Sequence, residues 1–282
     1  MIMPKGWQWD PTLYKGAGPH YARGRLPYPS ALAERFRLGA DLSGAPRLID
    51  VGCGPGTVAV ALACLFAEVI GVDPDADMLV EAAGRAAEFG VENVRWVHLR
   101  AEALPAGLGH FRYATFAQSF HWMEREVVAE IMFRMIEPGG AFVHVNTAVA
   151  SSQSPVLPFP SPPRAEIDAL IKSYLGEDHR AGQSVLRYGT PDGEARVLVG
   201  AGFRPARSVP VKGGDGLERS VGDIISWVLS HSNSAPHLFG DDLARFEDDL
   251  RHLLDDASDQ GRFSQWAGDV ELNFYDRSAE RG

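Results

Sequence analysis

The chain has 282 residues, of which 45% are hydrophobic, and its formal net charge is −10 because 37 acidic residues outnumber 27 Lys and Arg. This hydrophobic content suffices for a packed core and excludes a disordered chain, while the acidic balance disfavours non-specific nucleic-acid binding. The sequence has no apolar run of the ~20 residues that a membrane helix needs, and no signal-peptide pattern. Two cysteines, Cys53 and Cys64, are too few for a disulfide framework. We therefore expect a cytoplasmic protein without nucleic-acid or membrane partners.

The N-terminal segment, ahead of the first predicted strand, is dense in aromatic and basic side chains. These are Trp7, Trp9, Tyr14, His20, Tyr21, Arg23, Arg25 and Tyr28. Rings and long arginine stems of this kind can pack an N-terminal arm onto the rest of a domain, and the residue types alone favour no further role.

A glycine-rich turn follows the first predicted strand. Residues 47–52 have the apolar pattern of a buried strand, and residues 57–63 have that of a helix. The three glycines of the turn are Gly52, Gly54 and Gly56. A dinucleotide fingerprint requires its third glycine three residues after the second, where this chain has Thr57. Asp50 would repel a pyrophosphate bound at this helix N-terminus, whereas it would attract an ammonium group.

A second buried strand is predicted over residues 68–73, and it ends in an acid, Asp73. An alternating α/β fold places the acid that binds ribose hydroxyls ~20 residues after the glycine turn, which is about where Asp73 lies. A capping or turn role for Asp73 is the alternative. Asp75 is suited to cap the next helix, which Gly90 ends, and a third strand is predicted over residues 94–99.

The pattern acid-x-Gly-x-Gly-x-Gly resembles that of class I S-adenosylmethionine-dependent methyltransferases. The phrases at residues 229–232 and 238–241 also resemble those of bacterial small-molecule methyltransferases of this kind. The resemblance covers residues 20–150 strongly and residues 190–282 loosely. It implies S-adenosyl-L-methionine as the cofactor, with the glycine turn and Asp50 at its methionyl end and with Asp73 at the ribose. It also implies that Ala101 and Glu102 meet the adenine. The family usually has Phe-Asp before the fourth strand, where this chain has Phe-Arg at positions 111–112.

The same resemblance gives the N-terminal segment a role as a cap over the pocket. Related methyltransferases often carry a Tyr-x-x-x-Arg-x-x-Tyr-Pro phrase, which residues 21–29 fit. It implies that Tyr21 and Arg25 bind the carboxylate of the cofactor, since arginine pairs well with carboxylates. Tyr14 would then face the methyl acceptor, and packing of the arm is the alternative for Tyr14.

The fourth strand is predicted over residues 113–118, and its end is where an acceptor should meet the cofactor. Open α/β sheets bind ligands at the carboxyl ends of their strands. We therefore place Gln118 at the cofactor, and Phe120 and Trp122 in the wall of the acceptor pocket. His121, with an unperturbed pKa of ~6.5, is the candidate general base. The alternative is that His121 orients a backbone group or packs on Trp122.

The alternation of strands and helices predicts a doubly wound, mostly parallel α/β sheet, and the resemblance implies seven strands. Further elements are predicted as a helix over 124–136, a stop and turn over 137–140, a strand over 141–147, a Pro-rich extended loop over 151–163, a helix over 191–203, a strand over 206–212, helical structure over 219–257 and an antiparallel strand over 270–275. We expect a single methyltransferase domain over 1–282. Its parts are a cap (1–35), a cofactor-binding core (36–150), a lid or insertion (151–190) and a C-terminal sheet closure (191–282) with the helical insertion 219–257.

The sequence thus predicts methyl transfer from S-adenosyl-L-methionine to an O, N or C atom of a small molecule. No metal site is expected, because the histidines lack ligand spacing. Three alternatives stay open: a nucleic-acid or protein methyltransferase, a cofactor-binding protein of the same fold without methyl transfer, and a nicotinamide-dependent oxidoreductase. Thr57 and Asp50 oppose the last of these. The sequence identifies neither the acceptor nor the oligomeric state.

Overall fold

A computed structural model of the chain describes residues 10–147, 156–177, 180–181, 184–185, 193–214 and 216–278. Trp7, Trp9 and residues 151–155 of the predicted Pro-rich loop lie outside the described residues. None of the helices among the described residues is both long enough and apolar enough to cross a bilayer.

The described residues form alternating helices and strands, as the sequence predicts. The strands are β1 (Arg47–Val51), β2 (Glu68–Asp73), β3 (Val94–His98), β4 (Phe111–Ala117), β5 (Ile136–Thr147), β6 (Arg180–Ala181), β7 (Ser184–Val185), β8 (Arg207–Val211), β9 (Gly216–Ser220), β10 (Arg262–Trp266) and β11 (Val270–Asp276). The helices are α1 (Gly18–Gly24), α2 (Leu32–Gly39), α3 (Thr57–Leu62), α4 (Ala76–Glu88), α5 (Arg125–Met135), α6 (Arg164–Leu175), α7 (Glu194–Gly200), α8 (Val221–Leu229) and α9 (Leu243–Ala257).

Seven strands form one sheet in the order β3-β2-β1-β4-β5-β11-β8. The pairs among β1 to β5 are parallel, and β11 runs antiparallel to both β5 and β8. The predicted α/β fold with a mostly parallel seven-stranded sheet is therefore confirmed. Because β1 to β4 are parallel, the loops after them meet at one edge of the sheet, where ligands of open α/β sheets bind.

Two hydrophobic layers cover the faces of the sheet. On one face, Val128 and Met132 of α5 and Leu198 of α7 pack against Phe142 of β5. On the other face, the core includes Phe36 of α2, together with residues of α3. This burial on both faces explains why the central parallel strands are continuous apolar runs.

The interval after α5 differs from the predicted stop and turn over 137–140. Strand β5 already begins at Ile136, and its register against β4 shifts between Phe111 and Tyr113. Gly139 has a left-handed φ of +81°, which fits an irregularity inside a strand as well as it fits a turn. The Pro-Gly-Gly segment therefore lies within β5 as an irregularity of the strand, and the prediction of a turn over 137–140 was wrong.

The C-terminal region contains more β-structure than the predicted helical stretch over 219–257. Residues 219 and 220 belong to β9, which pairs antiparallel with β10, a strand that the sequence analysis missed. Helices α8 and α9 follow β9, and a 3-10 turn covers Pro236–Leu238 between them. Apolar residues of α6, α8 and α9 form a third cluster, which is separate from the two layers on the sheet.

The N-terminal segment packs on this C-terminal layer. Helix α1 contacts both α8 and α4. The Arg219 guanidinium fixes the contact, since its Nη2 donates to the carbonyl oxygens of Arg23 and Gly24 at 3.2 and 2.8 Å. Tyr21 of α1 and Trp227 of α8 line one cavity with Gln118, which directly follows β4, so these helices lie at the edge of the sheet where β4 ends.

Candidate active site

The glycine turn after β1 has the backbone that its composition predicts. Gly52, Gly54 and Gly56 all have left-handed φ values, of +68°, +52° and +72°. Such values favour glycine. A Cβ on Gly52 would lie 2.5 Å from the Cβ of Ser119, whereas a Cβ on Gly54 would meet nothing within 4 Å. Gly54 therefore borders open space, and both Gly52 and Gly54 line a cavity, which we call the inner cavity.

Gly56 has a different role from the other two glycines. A Cβ at this position would lie 2.6 Å from Cη2 of Trp96, and Gly56 does not line the inner cavity. The sequence predicts that Gly56 contacts the cofactor, but the structure places Gly56 outside the inner cavity. The third glycine allows α3 to begin against the Trp96 ring.

Asp73, at the end of β2, binds the glycine turn and borders the inner cavity. Its two carboxylate oxygens accept the amide hydrogens of Gly54 and Asp75 at 2.8 and 2.9 Å. Burial raises the pKa of Asp73 to about 6, although the two amide hydrogen bonds oppose that rise. Each carboxylate oxygen has a second lone pair, so Asp73 can hold the turn and still accept from ligand hydroxyls.

Asp50 lies beneath the turn, outside the cavity wall in which the sequence analysis expected it. Its carboxylate accepts the Thr115 hydroxyl at 2.7 Å and the Ala59 amide at 3.1 Å, and its exposure is 1%. Burial raises the pKa of Asp50 to about 7. The acid therefore joins β1, β4 and the first turn of α3, and it is not placed to contact a ligand ammonium group.

The inner cavity collects most of the predicted cofactor residues at the carboxyl edge of the sheet. Its lining includes Tyr14, Tyr21, Gly52, Gly54, Asp73, Ala101, Glu102, Gln118 and Trp122. The carboxylate of Glu102 accepts the amide of Glu124 at 3.0 Å and lies 3.3 Å from Nε of Arg100. Glu102 is thus held in place by the protein and keeps free lone pairs for a ligand.

Gln118 follows β4 directly and has a strained backbone. Its φ of +54° lies in the left-handed region, which a non-glycine residue seldom adopts. Strain of this kind clusters at functional sites, where the surrounding structure maintains it. Gln118 lines both the inner cavity and the cavity next to it.

That second cavity, which we call the outer cavity, has a volume of about 410 Å³. It shares Tyr14, Tyr21, Gln118 and Trp122 with the inner cavity. The Tyr14 ring contacts the rings of Tyr21 and Trp122 edge-on, with centroid distances of 6.0 and 6.4 Å. These shared side chains form the boundary at which ligands in the two cavities would meet.

Arg25 lines the outer cavity but not the inner one. Its guanidinium lies 4.8 Å from the centroid of the Tyr21 ring, and Nη2 donates to the carbonyl oxygen of Ser230 at 3.0 Å. Its Nε is buried and has no hydrogen-bond partner among the described residues. Arg25 thus has donor capacity left for an anionic group.

His121 lines the outer cavity, in a 3-10 turn over Phe120–Trp122. Burial, together with the nearby Arg125 charge, lowers the pKa of His121 to about 4. The ring is therefore uncharged at neutral pH and able to accept a proton, although it is a weaker base than a free histidine. It also lies 5.0 Å from the Trp122 ring, so the packing alternative is compatible with the same geometry.

The sequence analysis assigned no role to a second histidine of the outer cavity, His231. Its Nδ1 lies 2.7 Å from the carbonyl oxygen of Trp227, and because a carbonyl only accepts, Nδ1 carries the hydrogen. Burial lowers the pKa of His231 to about 4, so the ring is neutral and Nε2 has its lone pair free. His231 follows α8 and is far from β4 in sequence, so only the tertiary fold brings it to the cavity at the end of β4.

Phe120 does not reach either cavity. Its side chain is fully buried and packs edge-on against Phe116 and Phe142, with centroid distances of 5.4 and 5.2 Å. The short turn directs Phe120 into the core while His121 and Trp122 face the outer cavity. The predicted contact of Phe120 with the acceptor was therefore wrong.

The described residues contain no group of three or more His, Cys, Asp and Glu side chains arranged to hold a metal ion. The site that the described residues form consists of two adjoining cavities, which are lined by carboxylate side chains, aromatic rings and uncharged histidines.

Comparison with known proteins agrees with this geometry. Residues 48–140 match the family model described as a methyltransferase domain. The uncharacterized methyltransferase YcgJ of Bacillus subtilis is 35% identical over 102 residues, which are 36% of this chain and 40% of YcgJ. A ubiquinone biosynthesis O-methyltransferase of Psychrobacter arcticus is 30% identical over 100 residues, which are 34% of this chain and 39% of that enzyme. The chain thus matches about two fifths of the length of these curated relatives.

A solved structure shows the same fold over a longer stretch. The crystal structure of BH2331 from Bacillus halodurans aligns with a TM-score of 0.50 at 18% identity, and covers 89% of this chain and 100% of its own. The shared fold extends beyond the matched family segment, which contains the glycine turn, Asp73 and Gln118. Residues 48–140 therefore match a methyltransferase domain, and the described chain shares the fold of that solved structure.

Proposed function

We propose that the protein transfers the methyl group of S-adenosyl-L-methionine to a small molecule, with the cofactor in the inner cavity and the acceptor in the outer cavity. The observation that carries this proposal is the junction of the two cavities at Tyr14, Tyr21, Gln118 and Trp122. Methyl transfer requires the donor carbon and the acceptor atom to meet in line, and two cavities that share one boundary provide that arrangement.

The residues of the inner cavity fit the cofactor that the family implies. Asp73 has lone pairs available for ribose hydroxyls, and the open side of Gly54 lets a ligand approach the backbone. Arg25 lies in the outer cavity beside Tyr21, which both cavities share, and its Nε has no partner among the described residues, so this side chain suits the carboxylate of the methionyl end. When bound, the cofactor supplies an activated methyl group on a sulfonium.

The protein itself contributes positioning, exclusion of water and proton acceptance. Alignment of the reacting atoms alone can supply several kcal/mol of barrier reduction, and the rings of Tyr14 and Trp122 would shield them from water. When the acceptor must lose a proton, the unprotonated ring of His121 is the group that we assign to receive it. His231 faces the same cavity as a second neutral base.

The cofactor assignment predicts a large effect of Asp73→Asn. Asparagine offers one acceptor oxygen in place of two, so either the Gly54 amide or the Asp75 amide loses its partner, and a ribose hydroxyl loses its acceptor. Each loss costs about 1–3 kcal/mol. We therefore expect affinity for S-adenosylhomocysteine to fall by about 30- to 100-fold, as measured by calorimetric titration.

Asp77→Asn is the matched control, because Asp77 is exposed on α4, the helix that follows Asp73, and does not line the inner cavity. It should bind S-adenosylhomocysteine as the wild type does. Titration with NAD should give no heat of binding. If the wild type binds NAD, or binds neither adenosyl ligand, the proposed function fails.

The proton-acceptor assignment predicts a loss of rate in His121→Gln without a loss of cofactor affinity. General base catalysis contributes about 10²- to 10⁴-fold, so the release of S-adenosylhomocysteine should fall by about that factor. The assay supplies S-adenosylmethionine and the small-molecule fraction of a cell extract. Because the pKa of His121 is about 4, the wild-type rate at saturating S-adenosylmethionine, where a change in cofactor affinity through Asp73 has little effect, should stay level from neutral pH down to about pH 5 and fall below it.

His110→Gln is the control for this experiment, because His110 is exposed and lies away from both cavities. An unchanged rate in His121→Gln, together with a loss in His231→Gln, would move the proton acceptor to His231. A rate that falls near pH 6.5 at saturating S-adenosylmethionine would contradict the assignment of a base with a pKa of about 4.

A further inference from the structure

A third cavity, which we call the arginine cavity, adjoins the outer cavity. Its volume is about 330 Å³. Five residues line both the outer and the arginine cavities: Tyr21, Arg25, Leu26, Pro27 and Thr57. In contrast, only Tyr21 lines both the inner and the arginine cavities. The arginine cavity therefore extends the space proposed for the acceptor.

The lining of the arginine cavity is strongly cationic. Four arginines line it, and they are Arg23, Arg25, Arg85 and Arg219. The two acids of the lining are already paired, because Asp223 lies 2.7 Å from Nε of Arg23 and Glu218 lies 2.7 Å from Nη1 of Arg262. Among the described residues, no carboxylate lies within ion-pair distance of Arg25, Arg85 or Arg219.

Arg219 is the most deeply placed of these cations. Its exposure is 7%, and Nη2 donates to the backbone carbonyl oxygens of Arg23, Gly24 and Asp223. Its Nε is buried and has no partner among the described residues. A buried guanidinium with an unsatisfied donor is unfavourable unless an anion compensates it.

We propose that the arginine cavity binds an anionic group, a carboxylate or a phosphate, of the methyl acceptor. This inference rests on the proposed function, because it assigns the outer cavity to the acceptor. Guanidinium groups recognise both anions with paired N–H donors. The protein as a whole carries a charge of −10 and repels anions, so an anionic acceptor needs a local cationic site of this kind.

The test is calorimetric titration of succinate, and separately of inorganic phosphate, into the full chain saturated with S-adenosylhomocysteine at low ionic strength. We expect at least one of the two anions to bind, and its affinity to fall about 10-fold or more in Arg85→Gln and in Arg219→Gln. Arg85→Lys should retain most of the binding, because it keeps the charge. The side chain of Arg85 has a single described hydrogen bond, to the Pro55 carbonyl oxygen, so its replacement should leave the fold intact. The Arg85 variants therefore test the proposal even if Arg219→Gln fails to fold.

Arg37→Gln is the matched control, because Arg37 is exposed on α2 and outside the cavity lining. The proposal is overturned if the saturated protein binds neither anion or if Arg37→Gln weakens binding as much as Arg85→Gln does. It is also overturned if the anion competes with S-adenosylhomocysteine, because the arginines then hold the carboxylate of the cofactor. A failure of S-adenosylhomocysteine to bind at all is seen before any anion is added, and it counts against the proposed function instead.

Discussion

Replacing Phe120 by alanine should lower the free energy of unfolding by about 3–5 kcal/mol, which is the usual cost of removing a fully buried phenylalanine. The Phe120 ring packs edge-on against both Phe116 and Phe142, which are stacked on each other with a centroid distance of 4.2 Å. All three rings are fully buried in the layer that also contains helix α5. Denaturant unfolding, monitored by circular dichroism, measures the change.

Two further variants separate packing from a contact with the acceptor. Phe89→Ala removes a ring that is 63% exposed near the end of α4, and it should change stability by less than about 0.5 kcal/mol. Phe120→Leu keeps most of the apolar volume and should retain the wild-type rate at temperatures at which it stays folded. A large loss of rate in a stably folded Phe120→Leu would return Phe120 to the acceptor site.

The contrast between Phe120 and its two neighbours shows what local sequence determines. The prediction that residues 118–122 follow a strand at the ligand-binding edge needed only the apolar pattern of β4 and the parallel alternation. The direction of each side chain depends on how the 3-10 turn over Phe120–Trp122 packs between β5 and Tyr14. The sequence of these five residues alone does not determine which side chains face the core and which face the cavity.

The glycine turn was more predictable than its surroundings because its constraint is local. A left-handed φ restricts the residue type at one position, so the composition of the turn already specifies its backbone. His231 and Arg219 illustrate the opposite case. Both residues lie where the N-terminal helix α1 packs against the C-terminal region. This packing joins distant parts of the chain, since Arg219 and Gly24, which are hydrogen-bonded, are 195 residues apart in sequence. Sequence patterns of single elements do not predict such contacts.

Asp50→Asn should stabilise the protein relative to the wild type increasingly as pH rises from about 4 to about 7. Asparagine resembles the protonated acid, because its oxygen can accept the Ala59 amide and its nitrogen can donate to the Thr115 hydroxyl. Burial raises the pKa of Asp50 in the folded protein to about 7, compared with ~3.9 in an unfolded chain. The folded state of the wild type therefore holds a proton that the unfolded state releases.

The sign of the effect follows from this difference in proton binding. The stabilisation that protonated Asp50 provides is complete below pH ~4 and is lost as pH rises through the folded pKa of about 7. The loss is about 1.4 kcal/mol per pH unit and reaches up to about 4 kcal/mol, because each unit of pKa difference corresponds to 1.36 kcal/mol. The asparagine has no proton to lose, so the difference in stability between the two proteins cancels the contribution of every titrating group that does not interact with Asp50.

Urea unfolding at pH 4.5, 6 and 7.5 measures that difference. Asp248→Asn removes the same charge from an exposed position on α9, and its stability relative to the wild type should vary little with pH. A constant difference between Asp50→Asn and the wild type would mean that Asp50 is ionised in the folded protein throughout this range. The buried carboxylate would then carry a charge that attracts a ligand ammonium group without contacting it, which would support the predicted role of the acid before the glycine turn.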